Sequence, residues 1–224
     1  MPSPGDLHRY FLNNGSKILH KWFHYFDIYE RHFERFRDRP ITMLEIGVFG
    51  GGSLEMCQSY FHPESRIVGL DINPKCKRFE GGNIEVHIGS QDDPNFLGKL
   101  VKKYKKFDII LDDGSHINSH VIKTFEALYE HVSSNGVYFV EDMHTSYWKD
   151  YGGGLKKEGT FIEFAKNHID QLNAAHVPGD DYPVTEFTRT TNAIAFYDSV
   201  VVFEKRLQGT RQHAKTGPLK KTDL

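Results

Sequence analysis

The stretch Met43-Leu-Glu-Ile-Gly-Val-Phe-Gly-Gly-Gly-Ser53 joins a short apolar run, Met43–Val48, to a helical pattern over Ser53–Tyr60. Glycines at such a junction allow the backbone to approach a ligand at the carboxyl edge of a sheet. The spacing does not fit a dinucleotide fingerprint, because Phe49 stands where that motif needs its second glycine. It does not fit a phosphate-binding P-loop either, because Ser53 stands where that motif needs lysine. The stretch therefore predicts a strand, a ligand-binding loop and a helix, with an ordinary tight turn as the alternative.

Further short apolar runs alternate with helical patterns along the rest of the chain. The predicted strands are Arg66–Ile72, Ile84–Ile88, Phe107–Leu111, Gly136–Val140, Ala193–Tyr197 and Val200–Lys205, and the predicted helices are Phe96–Tyr104, Ser119–His131 and a segment from about Thr160 to Ala175. Strands separated by helices indicate a parallel sheet, whereas the last two strands flank a turn and indicate a hairpin. We therefore predict an α/β fold with a Rossmann-like, seven-stranded, mostly parallel sheet and a C-terminal antiparallel hairpin.

The region before the first strand is dense in aromatic, histidine and charged residues. Within residues 6–38 the apolar side chains at helical spacing are Ile18, Trp22, Phe26, Tyr29 and Phe33. This pattern predicts an amphipathic helical region that ends before Pro40. We expect residues 1–39 to form an N-terminal helical extension that packs on the domain, with a lid or a homo-oligomer interface as the alternative. Residues 208–224 are polar and basic and are expected to form a flexible tail.

The composition excludes several classes of protein. The chain has 224 residues, of which 38% are hydrophobic, and its 28 basic and 30 acidic residues leave a formal net charge of −2. No basic excess predicts a nucleic-acid partner, and the apolar runs are strand-sized, far from the roughly 20 residues of a membrane span. No signal-peptide pattern opens the sequence, and two cysteines do not make a disulfide framework. We therefore expect a cytoplasmic protein that binds neither nucleic acid nor a membrane.

Acidic residues close three of the predicted strands. Asp71 ends the second strand, where a carboxylate can accept hydrogen bonds from both hydroxyls of a ribose. Asp112 and Asp113 end one central strand, and Glu141 and Asp142 end the next. Because parallel strands end at the same edge of a sheet, these four carboxylates would repel one another unless a cation joins them. Oxygen ligands favour Mg²⁺ before Ca²⁺ or Mn²⁺, and capping of a following helix is the alternative role.

Several of these motifs resemble those of class I S-adenosylmethionine-dependent methyltransferases, namely Glu45-x-Gly47-x-x-x-Gly51, Asp71 and Ser90-Gln91-Asp92. Two more, Leu111-Asp-Asp-Gly-Ser-His116 and Val140-Glu-Asp-Met143, are similar to the metal-dependent sugar O-methyltransferases of the macrolide-glycoside (mycinamicin/tylosin) type. The resemblance covers residues 40–150 well and implies a methyltransferase domain over residues 40–207. It implies an enzyme that moves a methyl group from S-adenosylmethionine to a hydroxyl of a sugar in a glycoside or glycan, assisted by Mg²⁺ or Mn²⁺.

The resemblance also implies roles for individual positions. The cofactor-binding residues would be Glu45, Gly47, Gly51, Ser53, Asp71, Ser90, Gln91, Asp92 and Asp112, the metal ligands Asp113, Glu141 and Asp142, and the general base His116, acting beside Asp113. An exchange of roles between Asp112 and Asp113 stays open. Imidazole is a suitable base for a sugar hydroxyl whose acidity a metal has raised.

Weaker signals surround this set. His116 and His120 have a spacing that can also bind zinc, although position 117 is Ile and no H-E-x-x-H motif is present. His144, Tyr147 and Trp148 follow the acidic pair and are predicted to contact the acceptor, because aromatic rings can stack on a sugar. An exposed loop histidine and a core tryptophan are the alternatives at these positions.

Three other functions compete with the sugar O-methyltransferase. A catechol-type O-methyltransferase uses the same cofactor and metal on an aromatic diol. A cephalosporin-hydroxylase-like oxygenase shares the motifs at Leu111–His116 and Val140–Met143, but a redox iron site normally needs two histidines and one carboxylate. A non-catalytic cofactor-binding module would bind S-adenosylmethionine without turnover, and the intact acidic cluster with His116 argues against it.

Overall fold

A seven-stranded sheet forms the centre of the protein in the computed structural model, which describes residues 5–179 and 181–217. Its strands are β1 Thr42–Ile46, β2 Arg66–Asp71, β3 Ile84–Ile88, β4 Phe107–Asp112, β5 Val132–Val140, β6 Thr191–Tyr197 and β7 Val200–Lys205. The order across the sheet is β3-β2-β1-β4-β5-β7-β6. Strands β1 to β5 run parallel, and β7 runs antiparallel to β5 and β6. The predicted fold is confirmed, although β5 begins at Val132 rather than at Gly136.

Helices cover both faces of this sheet. They are α1 Asp6–Leu12, α2 Tyr25–Phe33, α3 Gly52–Tyr60, α4 Pro94–Tyr104, α5 Asn118–Leu128, α6 Phe161–Asn173 and α7 Glu186–Thr190, with short 3-10 turns at Glu34–Phe36, Pro74–Phe79, Tyr129–His131, Met143–Tyr147, Lys149–Tyr151 and Ala174–His176. N-cap side chains stabilise the first turn of several of these helices. The Asp93 side chain accepts hydrogen bonds from two backbone N–H groups of α4, and the Thr160 hydroxyl accepts one from α6. In the described part of the chain, no helix is long and apolar enough to cross a membrane.

The order in which the strands are added to the sheet reverses at β1, and this reversal positions a cleft. β2 and β3 lie on one side of β1, whereas β4 and β5 lie on the other. In open α/β sheets, ligands bind outside the carboxyl ends of the strands at such a switch point. The glycine stretch follows β1, Asp71 is the last residue of β2, and Asp113 and Asp142 lie in the loops after β4 and β5. The fold therefore brings these motifs to one edge of the sheet.

The N-terminal region departs from the predicted amphipathic helix. The described part of this region has two α-helices, Asp6–Leu12 and Tyr25–Phe33, the second continued by the 3-10 turn Glu34–Phe36, and the residues 13–24 between the two helices form an irregular segment, here called the strap. The strap begins with Asn13-Asn14-Gly15-Ser16, residues whose side chains or flexibility favour turns over helix. Ile18, predicted on the helical stripe, instead accepts a hydrogen bond through its carbonyl oxygen from Gly52 N–H at 3.1 Å. Trp22 also lies in the strap and is exposed.

The two helices of this region are part of the main core. Leu7 of α1 and Phe26 of α2 are fully buried in the same apolar cluster as Leu54 of α3 and Phe139 of β5. The opposite face of the sheet is covered by α4, α5 and α6, whose buried side chains form a second cluster. Of the predicted tail, residues 209–217 carry neither helix nor strand, and residues 218–224 lie outside the described residues. Residues 1–4 of the predicted extension also lie outside the described residues.

Candidate active site at the carboxyl edge of the sheet

A cavity of about 340 Å³ opens beyond the carboxyl ends of β1, β2 and β4. Its lining residues come from the last residues of β1 and β2, from the loops after β1, β2, β3 and β4, and from α5: Ile46, Gly47, Leu70, Asp71, Ile72, Gly89, Ser90, Gln91, Gly114, Ser115, Ile117 and His120. Four of the predicted cofactor-binding residues, Gly47, Asp71, Ser90 and Gln91, are therefore brought together on one cavity wall. Its lining combines apolar side chains such as Ile46, Leu70 and Ile72 with a few polar groups, as is typical of small-molecule sites.

Asp71 organises the glycine loop. One of its carboxylate oxygens accepts backbone hydrogen bonds from Val48 at 2.9 Å and Phe49 at 3.1 Å, and the other accepts one from Asn73 at 2.8 Å. Gly47 has a φ of +94°, and a side chain there would collide with the backbone carbonyl of Asp113. The loop therefore needs glycine at position 47, both for its conformation and for the close approach of the loop after β4.

Three other predicted cofactor-binding residues lie behind the cavity wall. Glu45 is fully buried, and one of its oxygens accepts a hydrogen bond from the Ser53 hydroxyl. Burial raises the pKa of Glu45 to about 7. Asp112 is also buried and accepts hydrogen bonds from the Gln91 amide at 3.1 and 3.3 Å, while burial raises its pKa to about 7. These residues hold the loops that form the wall and do not themselves line the cavity.

The remaining two lie at the margin of the cavity. Gly51 ends the glycine loop with a φ of +77°, and a side chain there would lie 2.6 Å from the Phe79 ring. Asp92 accepts a hydrogen bond from Ser90 at 2.6 Å and faces His120, whose Nε2 lies 3.6 Å away. The other ring nitrogen of His120 lies 3.1 Å from the Ser115 hydroxyl. His120 thus faces the first cavity and does not form a zinc pair with His116.

A second cavity, of about 370 Å³, adjoins the first and shares Gly47, Asp71 and Gly114 with it. Asp113, His116 and Asp142 also line it, and one ligand atom from each lies within 4.8 Å of the other two. His116 Nε2 is 3.8 Å from Asp113 Oδ1 and 3.7 Å from Asp142 Oδ2. Two carboxylates around one point, open to a cavity, suit Mg²⁺, which keeps several positions for water or substrate oxygens. The residues present therefore fit a divalent metal.

Glu141, the third predicted metal ligand, is not among these three residues, although Lys21 contacts both it and Asp113. It is 1% exposed and does not line the second cavity. One of its oxygens accepts a hydrogen bond from the Tyr29 hydroxyl, and the other lies 2.8 Å from the Lys21 ammonium. Burial raises the pKa of Glu141, whereas Lys21 opposes the rise. Both oxygens of Glu141, a predicted metal ligand, are thus engaged by side chains from the N-terminal region.

Sequence reasoning missed the contributions of the N-terminal region to this site. Lys21 Nζ lies 2.6 Å from Asp113 Oδ2, and the Tyr25 hydroxyl donates to Asp142 Oδ1 at 2.6 Å. Burial lowers the pKa of Lys21, but Asp113 and Glu141 outweigh it and raise that pKa well above its ordinary value. A single lysine in an amphipathic pattern gives no signal for such a position. Tyr29 lies on the predicted apolar stripe, and only the fold shows where its hydroxyl and that of Tyr25 lie.

The predicted acceptor residues His144, Tyr147 and Trp148 lie in the 3-10 turn Met143–Tyr147 and directly after it. Tyr147 and Trp148 are about half exposed, at 48% and 52%. The ring of His144 lies 4.6 Å from that of Trp148 and 6.2 Å from that of Trp22 in the strap. His144 Nδ1 also lies 2.6 Å from the Ser199 hydroxyl. His144 and Trp148 thus contact each other, and Trp22 joins them from the strap, but none of the three lines the second cavity.

Similar proteins are found by sequence and by structure. The chain is 41% identical over 162 residues to "Mycinamicin VI 2''-O-methyltransferase" of Micromonospora griseorubida, covering 68% of this chain and 40% of that protein. It is 40% identical over 162 residues to "Demethylmacrocin O-methyltransferase" of Streptomyces fradiae, with the same coverage. The structure of the MycE methyltransferase from the mycinamycin biosynthetic pathway, in complex with Mg, SAH and mycinamycin VI, superposes with a TM-score of 0.80. That superposition covers 99% of this chain and 58% of that chain at 34% identity.

Two facts limit the extent of these matches. The chain spans about half the length of the relatives it matches, 40% of the two curated proteins and 58% of the solved chain. No protein-family model matches the chain.

Proposed function

Because the chain is a homologue of the sugar O-methyltransferases of macrolide pathways and has the class I methyltransferase fold, we propose that it transfers a methyl group from S-adenosylmethionine to a sugar hydroxyl, assisted by a divalent metal. One observation carries the proposal. The cluster of Asp113, His116 and Asp142 opens into a cavity that adjoins the Asp71 cavity. A methyl donor in one cavity and an acceptor in the other would then meet at their shared wall.

The first cavity is proposed to hold the methyl donor. Asp71 would accept hydrogen bonds from the ribose hydroxyls, while Ser90, Gln91 and Asp92 would border the adenine. The glycine loop permits close approach of the methionine part, because Gly47 leaves no side chain between the loop and the donor. Glu45, Ser53 and Asp112 act on the donor through the loops that they hold. MycE was solved with SAH, the product of such a donor, on the same fold.

In the second cavity, Asp113 and Asp142 are the proposed metal ligands and His116 is the proposed general base. A bound Mg²⁺ would align two neighbouring acceptor oxygens and lower the pKa of the hydroxyl to be methylated. His116 Nε2 lies within 4 Å of both ligand carboxylates, so it can reach a proton on an oxygen held between them. Asp113 and Asp142 also favour the charged imidazole that forms when His116 takes that proton.

A sugar-containing small molecule is the proposed acceptor. The exposed rings of Trp148 and Trp22, which flank His144, offer apolar faces on which a sugar or its aglycone can stack. Mycinamycin VI was bound in the MycE structure, and the two curated relatives are named for mycinamicin VI and demethylmacrocin.

The competing functions find less support. The ligand cluster has one imidazole and two carboxylates, the reverse of the two-histidine, one-carboxylate set typical of redox iron. The named relatives act on glycosides, which argues against an aromatic diol as acceptor. A module without turnover has no use for His116 between two metal ligands.

A pair of reciprocal substitutions tests the proposal. Asp142→Asn should lower Mn²⁺ affinity at least about tenfold, since loss even of a group that only supports a metal ligand costs about 10- to 100-fold, and leave SAH affinity unchanged. Asp71→Asn should lower SAH affinity by about 10- to 100-fold, because hydrogen bonds to a charged group are lost, and leave Mn²⁺ affinity unchanged. Calorimetry with SAH and with Mn²⁺ measures both, with the exposed Asp38→Asn as the control variant.

Measurement of methyl transfer to a glycoside is the second part of the test. Methylation of mycinamycin VI, or of a panel of related glycosides, by methyl-labelled S-adenosylmethionine should cease in EDTA and return with Mg²⁺ or Mn²⁺. Full activity in EDTA would contradict the metal-assisted mechanism. Binding of SAH and Mn²⁺ without turnover on any glycoside would favour a cofactor-binding module.

A further inference from the structure

A row of aromatic rings leads from the proposed base His116 to the strap. The ring centroid of Tyr151 lies 6.4 Å from that of His116 and 6.0 Å from that of Trp148. From Trp148 the row continues to His144 and then to Trp22, with centroid separations of 4.6 and 6.2 Å. These separations are typical of interacting aromatic rings. Tyr151 therefore joins the other three rings, with which it forms the aromatic row, to His116 in the wall of the second cavity.

The Asn118 side chain fixes the inner end of the aromatic row. Asn118 begins α5, two residues after His116, and is 3% exposed. Its amide group donates a hydrogen bond to the Tyr151 carbonyl oxygen at 2.9 Å. Its oxygen accepts hydrogen bonds from the Ser146 hydroxyl at 2.8 Å and the Phe161 backbone N–H at 2.7 Å. Because a buried amide with these partners holds the loop after β5 in one conformation, Tyr151 is kept beside His116.

The outer end of the aromatic row is attached to the turn between β6 and β7. His144 Nδ1 lies 2.6 Å from a hydroxyl of this turn, and His24 Nε2, two residues after Trp22, lies 3.1 Å from a carbonyl oxygen of it. The same turn thus holds both the strap and the loop after β5. Trp22 and Trp148 nevertheless stay 55% and 52% exposed, so their faces are open to a ligand.

The position of His116 fixes which part of an acceptor lies at which end of the row. The oxygen that loses its proton to His116 must lie beside it, so the sugar that carries this oxygen lies at the inner end, against Tyr151. A single sugar ring is similar in size to one aromatic ring and does not extend along the whole row. Trp148 and Trp22 are then left for the group to which the sugar is attached. An apolar group gains free energy by covering their exposed faces, because apolar surface is removed from water.

We propose that Tyr151 positions the acceptor sugar against His116 and that Trp148 and Trp22 bind the aglycone, so that a glycoside lies along the aromatic row with its sugar innermost. This inference rests on the sugar O-methyltransferase function proposed above and adds Tyr151 to its site. The Tyr151 hydroxyl forms no hydrogen bond with the described residues, so the ring is the part that acts. Loss of a ring at the inner end disturbs alignment for methyl transfer, whereas loss of a ring at the outer end weakens binding alone.

Kinetics on a whole glycoside and on the methyl glycoside of the same sugar test this arrangement. The whole glycoside is mycinamycin VI, or the related glycoside of the panel above that the native chain methylates. Trp22→Leu should raise KM for the whole glycoside by about tenfold and leave its kcat unchanged. It should leave kcat/KM for the methyl glycoside native, because that substrate has no aglycone. Tyr151→Leu should lower kcat by about 10- to 100-fold on both substrates, and Tyr151→Phe, which keeps the ring, should be native.

Intrinsic fluorescence gives a measurement that does not depend on turnover. Trp22 and Trp148 are the two tryptophans of the chain, and both lie in the aromatic row. Binding of the whole glycoside in the presence of SAH should therefore change the tryptophan emission, and the methyl glycoside should change it less. An unchanged emission on binding of the whole glycoside would overturn the proposal.

Tyr182→Leu is the matched control, because it removes a partly exposed tyrosine that lines neither cavity, and it should be native on both substrates. Calorimetry should show native SAH and Mn²⁺ affinities in every variant, and Trp148→Leu replaces Trp22→Leu if the latter disturbs them. A native kcat in Tyr151→Leu would overturn the role of Tyr151. Equal losses on both substrates in Trp22→Leu would overturn the direction of the acceptor. Absence of methylation of every glycoside by the native chain would instead contradict the function proposed above.

Discussion

At the scale of single residues, His116 has the position of a base between two carboxylates. Its backbone is in the left-handed region, with a φ of +57°, which turns the side chain back toward Asp113 and Asp142. His116→Ala should reduce turnover by about 10²- to 10⁴-fold, the usual effect of removing a general base. SAH and Mn²⁺ should still bind, because the donor cavity and both ligand carboxylates remain. Turnover rates and calorimetry on the same preparation measure this.

Two other histidines serve as comparisons. His120 faces the donor cavity, and His144 lies among the aromatic rings beside Ser199. His120→Ala should alter donor binding more than the rate of the chemical step, and His144→Ala should alter acceptor binding. A native rate in His116→Ala together with a collapsed rate in His144→Ala would move the role of base to His144. Loss of Mn²⁺ binding in His116→Ala would make His116 a ligand.

Glu45 makes the stability of the protein depend on pH. Its pKa is raised by burial from 4.5 to about 7, so the native state holds a proton that the unfolded state has already released. This stabilisation is fully present below pH 4.5 and is lost as the pH rises through about 7. Glu45→Gln carries no charge at any pH. It should therefore lose this dependence, by up to about 3 kcal/mol in the free energy of unfolding.

Urea unfolding at about pH 5 and about pH 8 compares the two proteins. The native protein should lose more stability between these values than Glu45→Gln does. Glu64→Gln, at an exposed position, should follow the native pH dependence. Equal losses in the native protein and Glu45→Gln would mean that Glu45 is ionised in the folded state across this range.

At the scale of elements, the contact between α3 and the strap connects the glycine loop after β1 to the cluster of Asp113, His116 and Asp142. Gly52 begins α3, and a Cβ atom there would lie 2.5 Å from the carbonyl oxygen of Ile18, the atom to which Gly52 N–H donates. Gly52→Ala should therefore push the strap away and cost about 1–3 kcal/mol, as overpacking does. Amide hydrogen exchange in residues 13–24 should become faster, because the strap loses an anchor.

Gly98 offers a matched substitution in another helix. It lies inside α4, and a Cβ atom there would have open space around it. Gly98→Ala should leave exchange in the strap unchanged and stabilise the protein by about 0.5–1 kcal/mol, because alanine is the better helix former. If Gly52→Ala were also neutral, the strap would not depend on this contact.

At the scale of the whole molecule, we expect the N-terminal helices to unfold together with the sheet. Phe33 of α2 is 1% exposed, and its ring lies 5.5 Å from that of Tyr29 and 5.0 Å from that of Phe139 on β5. Because Phe33 packs α2 against the sheet, Phe33→Ala should destabilise the entire molecule by about 3–5 kcal/mol. Urea unfolding should stay a single transition by both circular dichroism and tryptophan fluorescence.

In the fluorescence measurement, each of the two tryptophans reports on a different part of the molecule. Trp22 reports on the strap and Trp148 on the loop region after β5. Leu155→Ala, at a position 79% exposed, should leave the transition unchanged. A separate early transition in Phe33→Ala would mean that the N-terminal region is an independent unit, as a lid would be.

The sequence by itself determined the elements whose signals are local. The alternation of apolar runs with helical patterns predicted the sheet, because burial on two faces selects continuous apolar strands. Asp113 and His116 are three residues apart, and Asp71 and Asp142 each close a strand, so parallel strand ends were enough to place them at one edge. The boundaries of β5 and the irregular strap escaped this reasoning, because neighbouring strands and the loop before α3 decide them.

Only the tertiary structure decided which charges meet in the site. Lys21 lies 92 residues from Asp113 and 120 from Glu141 along the chain, and no periodicity in either segment encodes that contact. The spacing of Ile18 and Trp22 predicted a helix that is wrong at these two residues. The pattern contains no information about the hydrogen bond from Gly52 N–H to the Ile18 carbonyl oxygen, which fixes the strap in an irregular conformation. Sequence pattern reports how each segment buries its own apolar face. The partner of a buried charge, in contrast, is selected by the free energy of taking that charge out of water, which depends on everything packed around it.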